Sequence, residues 1–239
     1  MGWFSRGPAT VPARPYGREV AHEAHRGWRK LVLVRHGQTD YNVKHLLPGQ
    51  LPGIPLNDEG RTEARATGAA LRPLPISAII ASPLERTMET ATFVNGDRTL
   101  EVRIDRDLLD TDYGRFSGQC YDELDKSDAR WRRFMNDPLR APKGVENFAT
   151  VQQRAVRAAE RWRQAPDVGE WVALVTHADL VKLIIAHYIG IPLARVPLFS
   201  MDNASVSLLA FHPDANEPPS LLCFNWTSPA LWLAAAQRL

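Results

Sequence analysis

The feature of this 239-residue sequence that most constrains its fold is the apolar run at residues 31–34, Leu-Val-Leu-Val, which ends abruptly at Arg35, His36 and Gly37. Such a run predicts a strand that is buried on both faces, as in parallel sheets covered by helices. Ligands bind at the carboxyl ends of such strands, and a guanidinium beside an imidazole suits a phosphate group. Alone, these three residues would also fit an ordinary strand end, so the prediction depends on the rest of the chain.

The same pattern recurs further along the chain. Apolar strands are predicted at 76–81 and 171–176, and each ends in a polar turn that leads into a helix. The other predicted elements are helices at 57–71, from about 84, and at 121–135, 151–162, 180–189 and 230–237, a strand at 100–104, and two edge strands at 205–211 and 221–225. Strands that alternate with helices predict an α/β fold, a three-layer sandwich whose mainly parallel central sheet is flanked by helices.

Two arginines and two histidines follow three of these strands. Arg35 and His36 end the first strand, Arg86 lies in the first turn of the helix after the second, and His177 ends the fourth. Parallel strands place their carboxyl ends at one edge of the sheet, so the four side chains are expected to converge there. Guanidinium and imidazole groups make a poor metal site but can bind a phosphoryl dianion through several hydrogen bonds. We therefore predict a phosphate pocket without a metal.

Four motifs that occur in order along the chain make this prediction specific. They are Arg35-His36-Gly37-Gln38-Thr39 with Asn42, Ser82-Pro83-Leu84-Glu85-Arg86-Thr87, Leu109-Asp110-Thr111-Asp112-Tyr113-Gly114, and Thr176-His177. Together they resemble the histidine phosphatase superfamily, in the branch that contains the cofactor-dependent phosphoglycerate mutases. The resemblance covers nearly the whole chain apart from its N-terminal segment.

The resemblance implies a phosphoglycerate mutase-like fold and a role for each matching residue. His36 would be the nucleophile that is transiently phosphorylated. Arg35, Arg86 and His177 would complete the phosphate pocket and take part in catalysis, with Asn42 and Thr39 as further substrate-binding residues. The chemistry is consistent with these side chains, because a neutral imidazole is a competent nucleophile and fixed cations stabilise the charge of the transferred phosphoryl group. No metal ion or other cofactor is implied.

The proton donor departs from the pattern of the family. The family usually has a glutamate four residues before the glycine of the third motif, and here Asp110 occupies that place before Gly114. Aspartate is shorter and slightly more acidic, so it must lie closer to the substrate or be kept protonated by its surroundings. We predict that Asp110 acts first as general acid and then as general base. Asp112 is the alternative acid.

Three functions fit these motifs. A phosphomonoester hydrolase is favoured over a phosphoglycerate mutase, because only 66 residues lie between Asp110 and His177. The mutases that the chain resembles carry a longer, more basic insertion there, whereas this chain clusters only Arg130, Arg132 and Arg133. A phosphate-binding or signalling module without turnover is the alternative from another class, and the aspartate at position 110 is its only support.

Composition limits the partners and the compartment. The net charge is only +2, and the excess lies in the first 30 residues, so no nucleic-acid partner is predicted. No apolar run approaches the roughly 18 residues of a membrane span, so no membrane partner is predicted. Two widely separated cysteines, Cys120 and Cys223, fit a reducing compartment, and a cytoplasmic location is expected. The sequence predicts no particular oligomeric state.

The chain is expected to form one domain at residues 28–239 after a flexible, proline- and arginine-rich tail at 1–27. Tyr113, Phe116 and Trp131 suggest an apolar wall beside the phosphate pocket. We therefore predict a small-molecule phosphomonoester substrate whose body is organic rather than purely a sugar.

Overall fold

The computed structural model describes residues 27–228, which form a six-stranded sheet covered by helices on both faces. The strands are β1 (Arg29–Arg35), β2 (Ala78–Ala81), β3 (Val102–Ile104), β4 (Trp171–Thr176), β5 (Val206–Phe211) and β6 (Ser220–Trp226). Their order across the sheet is β3-β2-β4-β1-β5-β6. The first four run parallel, and β5 and β6 are antiparallel additions. The predicted mainly parallel sheet is confirmed, but β5 lies inside the sheet rather than at its edge.

Helices occupy the layers on either side of the sheet. They are α1 (Asp40–Val43), α2 (Asp58–Leu71), α3 (Glu85–Asn95), α4 (Tyr121–Ser127), α5 (Ala129–Asn136), α6 (Phe148–Gln164) and α7 (Ala178–Ile189). The predicted boundaries of α2 follow from its cap, because the Asn57 side chain accepts a hydrogen bond from the Gly60 amide at 2.8 Å. The helix α7 ends at Gly190, which adopts the left-handed conformation that glycine tolerates.

Alternating side chains of the central strands build two separate apolar layers. Leu31 and Leu33 pack with residues of α6 and α7, whereas Val32 and Val34 pack with residues of α2 and α3. Successive side chains of a strand point to opposite faces, so a strand between two helical layers must be apolar at every position. The uninterrupted run that opens the sequence thus reflects a three-layer sandwich, as predicted.

Two further stretches of the chain differ from the prediction. The helix predicted at 121–135 is two helices, because Asp128 is extended and its carboxylate accepts hydrogen bonds from the amides of Arg130 and Trp131, which starts α5. The segment after Gln38, where no helix was predicted, contains the one-turn helix α1, which Thr39 and Asn42 hold by a reciprocal pair of side-chain to backbone hydrogen bonds.

Parts of the predicted organisation lie outside the described residues. These are the tail, apart from residue 27, and the C-terminal helix at 230–237. Within residues 27–228, no helix is both long enough and apolar enough to cross a membrane.

Candidate active site

The two histidines of the site are brought together by the pairing of the two central strands. Arg35, the last residue of β1, is paired with Thr176, the last residue of β4. His36 and His177 each follow directly, and the His36 amide donates to the Thr176 carbonyl at 3.0 Å. The two imidazole rings meet edge to face with their centroids 5.3 Å apart. The convergence expected for neighbouring parallel strands is therefore present.

His36 is held as a neutral base with a defined tautomer. Its Nδ1 lies 2.7 Å from the Gly37 carbonyl, which can only accept, so Nδ1 carries the proton and Nε2 carries the lone pair. Burial lowers the pKa of His36 well below its ordinary value, and the charges of Arg86 and Arg35 add to this effect. The imidazole is therefore uncharged at neutral pH, as a nucleophile must be.

The backbone after His36 is fixed by a contact between two glycines. A Cβ atom added at Gly37 would lie 2.4 Å from the Gly60 carbonyl oxygen in the first turn of α2. The Gly37 amide also donates to Thr90 Oγ1 in α3, at 3.1 Å. Gly37 thus lets the turn that carries His36 pack directly against the helical layer.

His177 contacts the end of the second strand and the candidate acid. Its Nε2 lies 3.0 Å from Ser82 Oγ, and its Nδ1 lies 3.5 Å from Asp110 Oδ2. Burial lowers the pKa of His177 well below its ordinary value, with a further contribution from Arg86. A buried neutral imidazole whose Nδ1 faces the centre of the site is suited to contact a bound anion.

The arginines leave several buried donors without partners. Arg86 is fully buried, and its Nη2 donates to the Gly49 carbonyl at 2.8 Å and to Asp110 Oδ2 at 3.1 Å. Arg35 donates through Nη1 to the Met201 carbonyl. Within the described part of the chain, Arg86 Nε, Arg86 Nη1, Arg35 Nε and His177 Nδ1 are buried without a hydrogen-bond partner. Nδ1 of the neutral His177 ring is a donor in the tautomer whose Nε2 accepts from the Ser82 hydroxyl. Unpaired buried donors are rare and costly, and here they surround His36, which indicates a binding site for an anion.

Asp110 lies at the centre of this cluster. Its side chain is only 10% exposed, and Oδ1 accepts from the Thr111 amide at 2.9 Å. Burial raises the pKa of Asp110 to about 6; Arg86 opposes the rise and the negative charge of Asp179 adds to it. Near neutral pH the carboxyl group can therefore both lose and regain a proton. The alternative acid, Asp112, instead accepts from the Gly114 amide at 2.8 Å and shapes the turn.

Asn42 is oriented by three donors at one oxygen. Its Oδ1 accepts from the Thr39 amide at 2.9 Å, from Thr39 Oγ1 at 3.0 Å and from Asn203 Nδ2 at 3.2 Å. These bonds commit Oδ1 to the protein, so Nδ2 is the atom of Asn42 that remains to donate to a ligand. The Thr39 hydroxyl is itself committed to Asn42, so direct binding of phosphate by Thr39 stays a prediction.

The sequence analysis missed Arg154, which holds the backbone of the Asp110 loop. From α6, this arginine donates to the carbonyls of Asp107 at 3.0 Å, of Asp110 at 2.8 Å and of Leu109. Its other donors pair with Glu146, at 3.1 and 2.8 Å. The contacts are to carbonyl oxygens and leave no pattern in the sequence. Asn203, whose Nδ2 donates to Asn42 Oδ1, was also missed, because it lies in a loop far along the chain from Asn42.

No metal-binding cluster was found in the part of the chain that the structure describes. Across residues 27–228, no three or more His, Cys, Asp or Glu side chains are grouped so that they could hold a metal ion.

The fold and the site define an α/β enzyme of the class that acts on phosphate esters through a histidine. The family model of the histidine phosphatase superfamily (branch 1) matches residues 31–225, so the chain belongs to that superfamily.

Several proteins that the chain resembles are phosphatases. The chain is 35% identical over 195 residues to glucosyl-3-phosphoglycerate phosphatase of Mycobacterium tuberculosis, covering 77% of this chain and 86% of the relative. It is 34% identical over 219 residues to the enzyme of the same name from Mycolicibacterium vanbaalenii, covering 87% and 96%. The solved structure of a mycobacterial glucosyl-3-phosphoglycerate phosphatase with VO3 superposes with a TM-score of 0.74 at 32% identity, covering 83% of this chain and 100% of that one. The protein is therefore a phosphatase.

Proposed function

We propose that the protein hydrolyses small-molecule phosphomonoesters in two steps through a phosphohistidine on His36. In the first step His36 Nε2 attacks phosphorus, the bond between phosphorus and the ester oxygen breaks, and the Asp110 carboxyl gives its proton to the departing alkoxide. In the second step the Asp110 carboxylate takes a proton from water, the water oxygen bonds to phosphorus, and the bond to Nε2 breaks. Inorganic phosphate and a free imidazole remain.

The observation that carries this proposal is the set of unpartnered buried donors around His36. Arg35, Arg86 and His177 together supply four such nitrogen atoms. In phosphoryl transfer the charge spreads over the equatorial oxygens, and donors already in place stabilise it without reorganisation. Asn42 Nδ2 is a fifth candidate donor. Because these groups supply the positive charge, we further propose that turnover requires no metal ion.

The test is hydrolysis of para-nitrophenyl phosphate in excess chelator. The unmodified protein should turn over the ester, and His36→Ala should reduce the rate to background. His187→Ala is a matched control, because His187 is exposed near the end of α7, away from the strand ends, and its loss should leave the rate unchanged. The tautomer of His36 further predicts that trapped phosphoenzyme carries the phosphoryl group on Nε2.

Other outcomes would favour the competing functions. Interconversion of phosphoglycerates with little hydrolysis would favour a mutase. Tight binding of inorganic phosphate without either reaction would favour a non-catalytic phosphate-binding or signalling module. Turnover that chelator abolishes and added metal restores would contradict the metal-free mechanism.

We also propose a cytoplasmic location and no nucleic-acid or membrane partner. The two cysteines are both free thiols, which fits a reducing compartment. Fractionation of cells that express the full chain would test the location, since recovery with the secreted or membrane fraction would contradict it.

A further inference from the structure

A cavity of about 640 Å³ is lined by Tyr113 and Asp179, which lie within three residues of Asp110 and His177 in the sequence. Its lining is dominated by rings and aliphatic chains, among them Leu47, Tyr113, Trp131, Phe134, Met135 and Phe148. This volume is within the range of pockets that bind organic molecules of moderate size. None of the residues in the proposed mechanism lines the cavity, so its chemistry is separate from that of the phosphate pocket.

The cavity and the phosphate pocket nevertheless share a wall. Tyr113 follows Asp110 by three residues, Asp179 follows His177 by two, and both line the cavity. The Tyr113 hydroxyl donates to Asp179 Oδ2 at 2.8 Å, which joins these two segments. Asp110 is the proposed donor to the leaving oxygen, so the alcohol part of a bound ester leaves the phosphate pocket on the side where this wall begins.

The shape of the apolar wall is set before any ligand binds. The ring of Trp131 meets those of Tyr113 and Phe134 edge to face, with centroids 6.0 and 5.9 Å apart. Trp131 and Phe134 are buried in the core, which fixes their orientation. Rigid aromatic surfaces bind apolar groups without a large loss of side-chain entropy.

The two charged lining residues that are largely buried, Asp179 and Lys182, are already paired with each other. Asp179 accepts from Lys182 Nζ at 2.8 Å through Oδ1 and from the Tyr113 hydroxyl through Oδ2. The side chains of Asp179 and Lys182 are only 15% and 13% exposed. A polyhydroxylated alcohol placed against this pair would lose its hydrogen bonds to water without finding free partners there, which is unfavourable. The other charged residues of the lining, Asp122, Asp125 and Lys126, are exposed to solvent.

We propose that this cavity binds the alcohol part of the substrate, and that the enzyme prefers phosphate monoesters of apolar, ring-bearing alcohols to phosphates of sugars and polyols. The inference rests on the proposed function, because the positions of His36 and Asp110 define where the phosphate lies. Of the three aromatic residues that the sequence analysis expected in the apolar wall, Tyr113 and Trp131 line the cavity and Phe116 does not.

Binding and hydrolysis should be measured separately. Calorimetry with two non-hydrolysable phosphonates, 3-phenylpropylphosphonate and 2,3-dihydroxypropylphosphonate, tests the cavity alone. We expect the phenylpropyl compound to bind at least about tenfold more tightly, as is typical when a fitted apolar group fills a pocket. Equal affinity, or tighter binding of the dihydroxy compound, would overturn the inference.

Hydrolysis of 3-phenylpropyl phosphate and glycerol 1-phosphate, both esters of primary alcohols, should show the same order in kcat/KM. A binding preference without hydrolysis of either ester would contradict the proposed function and leave the assignment of the cavity standing. Hydrolysis of both esters with a preference for glycerol 1-phosphate would support the proposed function and contradict the assignment of the cavity.

Two exposed residues provide a matched pair of variants. Met135 lines the cavity and is 44% exposed, whereas Leu222 in β6 is 46% exposed and lies outside the cavity. Met135→Glu should weaken binding of the phenylpropyl compound by about tenfold and change that of the dihydroxy compound by less than about twofold. Leu222→Glu should change neither. An equal effect of the two variants, or an equal loss for both ligands in Met135→Glu, would count against the cavity as the binding site.

Discussion

At the scale of single residues, the environment of Asp110 explains how an aspartate can stand where the family usually has a glutamate. The side chain contacts both Arg86 and His177, so the shorter carboxyl group lies within the phosphate pocket. Burial raises its pKa to about 6, which keeps a fraction protonated near neutral pH. A free aspartate would be almost fully ionised there.

Asp110→Asn provides the sharpest test at this scale. We expect the variant to lose about 10² to 10⁴ in kcat for alkyl phosphates and less than about tenfold for aryl phosphates, whose leaving groups need little protonation. The rate of the unmodified enzyme on alkyl esters should fall as the pH rises through about 6, where Asp110 loses its proton. This fall should be absent from the variant. Ionisation of the substrate is common to both proteins, so the difference between their pH–rate profiles reports Asp110. An equal loss on both ester types would contradict its role as general acid.

The raised pKa of Asp110 also has a cost in stability. A group whose pKa is higher in the folded state favours folding when protonated, and this contribution disappears as the pH rises through the folded pKa. For Asp110 the window runs from the unfolded value of about 3.8 up to about 6. At neutral pH the enzyme therefore keeps a carboxylate in a place that disfavours its charge, and the contact with Arg86 offsets part of that cost.

At the scale of elements, α6 supports the acid from outside the phosphate pocket. Its Arg154 donates to the carbonyl oxygens of Asp107, Leu109 and Asp110, and Glu146 holds the guanidinium in place. A planar guanidinium has enough donors in fixed directions for all these contacts, whereas an ammonium group does not. Arg154 is thus a positioning residue for Asp110.

Arg154→Lys should lower kcat for alkyl phosphates by about tenfold while KM changes little, because Asp110 moves and the phosphate pocket stays. The loss should be smaller for aryl phosphates, as for Asp110→Asn. A purely structural defect would instead lower both activities equally. Arg157→Lys is the control, because Arg157 lies on the same helix and forms an exposed ion pair with Asp107. Such pairs contribute little, so this variant should behave like the unmodified enzyme.

The elements also show which parts of the fold the sequence determines locally. Strands buried on both faces, and helices with a clear cap such as Asn57, were predicted because each leaves a local pattern. The break at Asp128 was missed because apolar residues continue at helical spacing across it, and only its extended backbone reveals the new start. The helix α1 has four residues, too few to show a period.

The residues of the candidate site can also be divided into those that the sequence predicts and those that it does not. Arg35, His36, Arg86 and His177 were predictable because they follow strands, and parallel strand ends meet at one edge. Arg154 and Asn203 were not, because they bind backbone or amide oxygens that belong to distant segments. Whether the predicted residues carry out the proposed steps stays a prediction for the variants above.

At the scale of the whole molecule, residues 27–228 contain both apolar layers and every residue of the proposed mechanism. The N-terminal segment contains many prolines and arginines and shows no apolar period. We therefore still predict that residues 1–27 are a tail and that the domain from residue 28 folds and works without it.

Deletion of residues 1–26 should change kcat/KM by less than about twofold and leave the Tm within about 2 °C, since no predicted core residue is removed. The measurement is thermal unfolding together with para-nitrophenyl phosphate turnover. A deletion that extends through Val34 removes the central strand β1 and should not fold. A marked loss of activity in the shorter deletion would show that the tail contributes to the domain.

The pairing of β1 with β4 has a consequence for how such an enzyme can diversify. The backbones that carry His36 and His177 are one strand spacing apart, about 4.8 Å in any sheet, because each histidine directly follows a paired residue. Substitutions elsewhere leave this interval unchanged, whereas the loops and helices around the cavity can vary in length and composition. The same chemistry can therefore be inherited intact while the choice of alcohol changes from one descendant to the next.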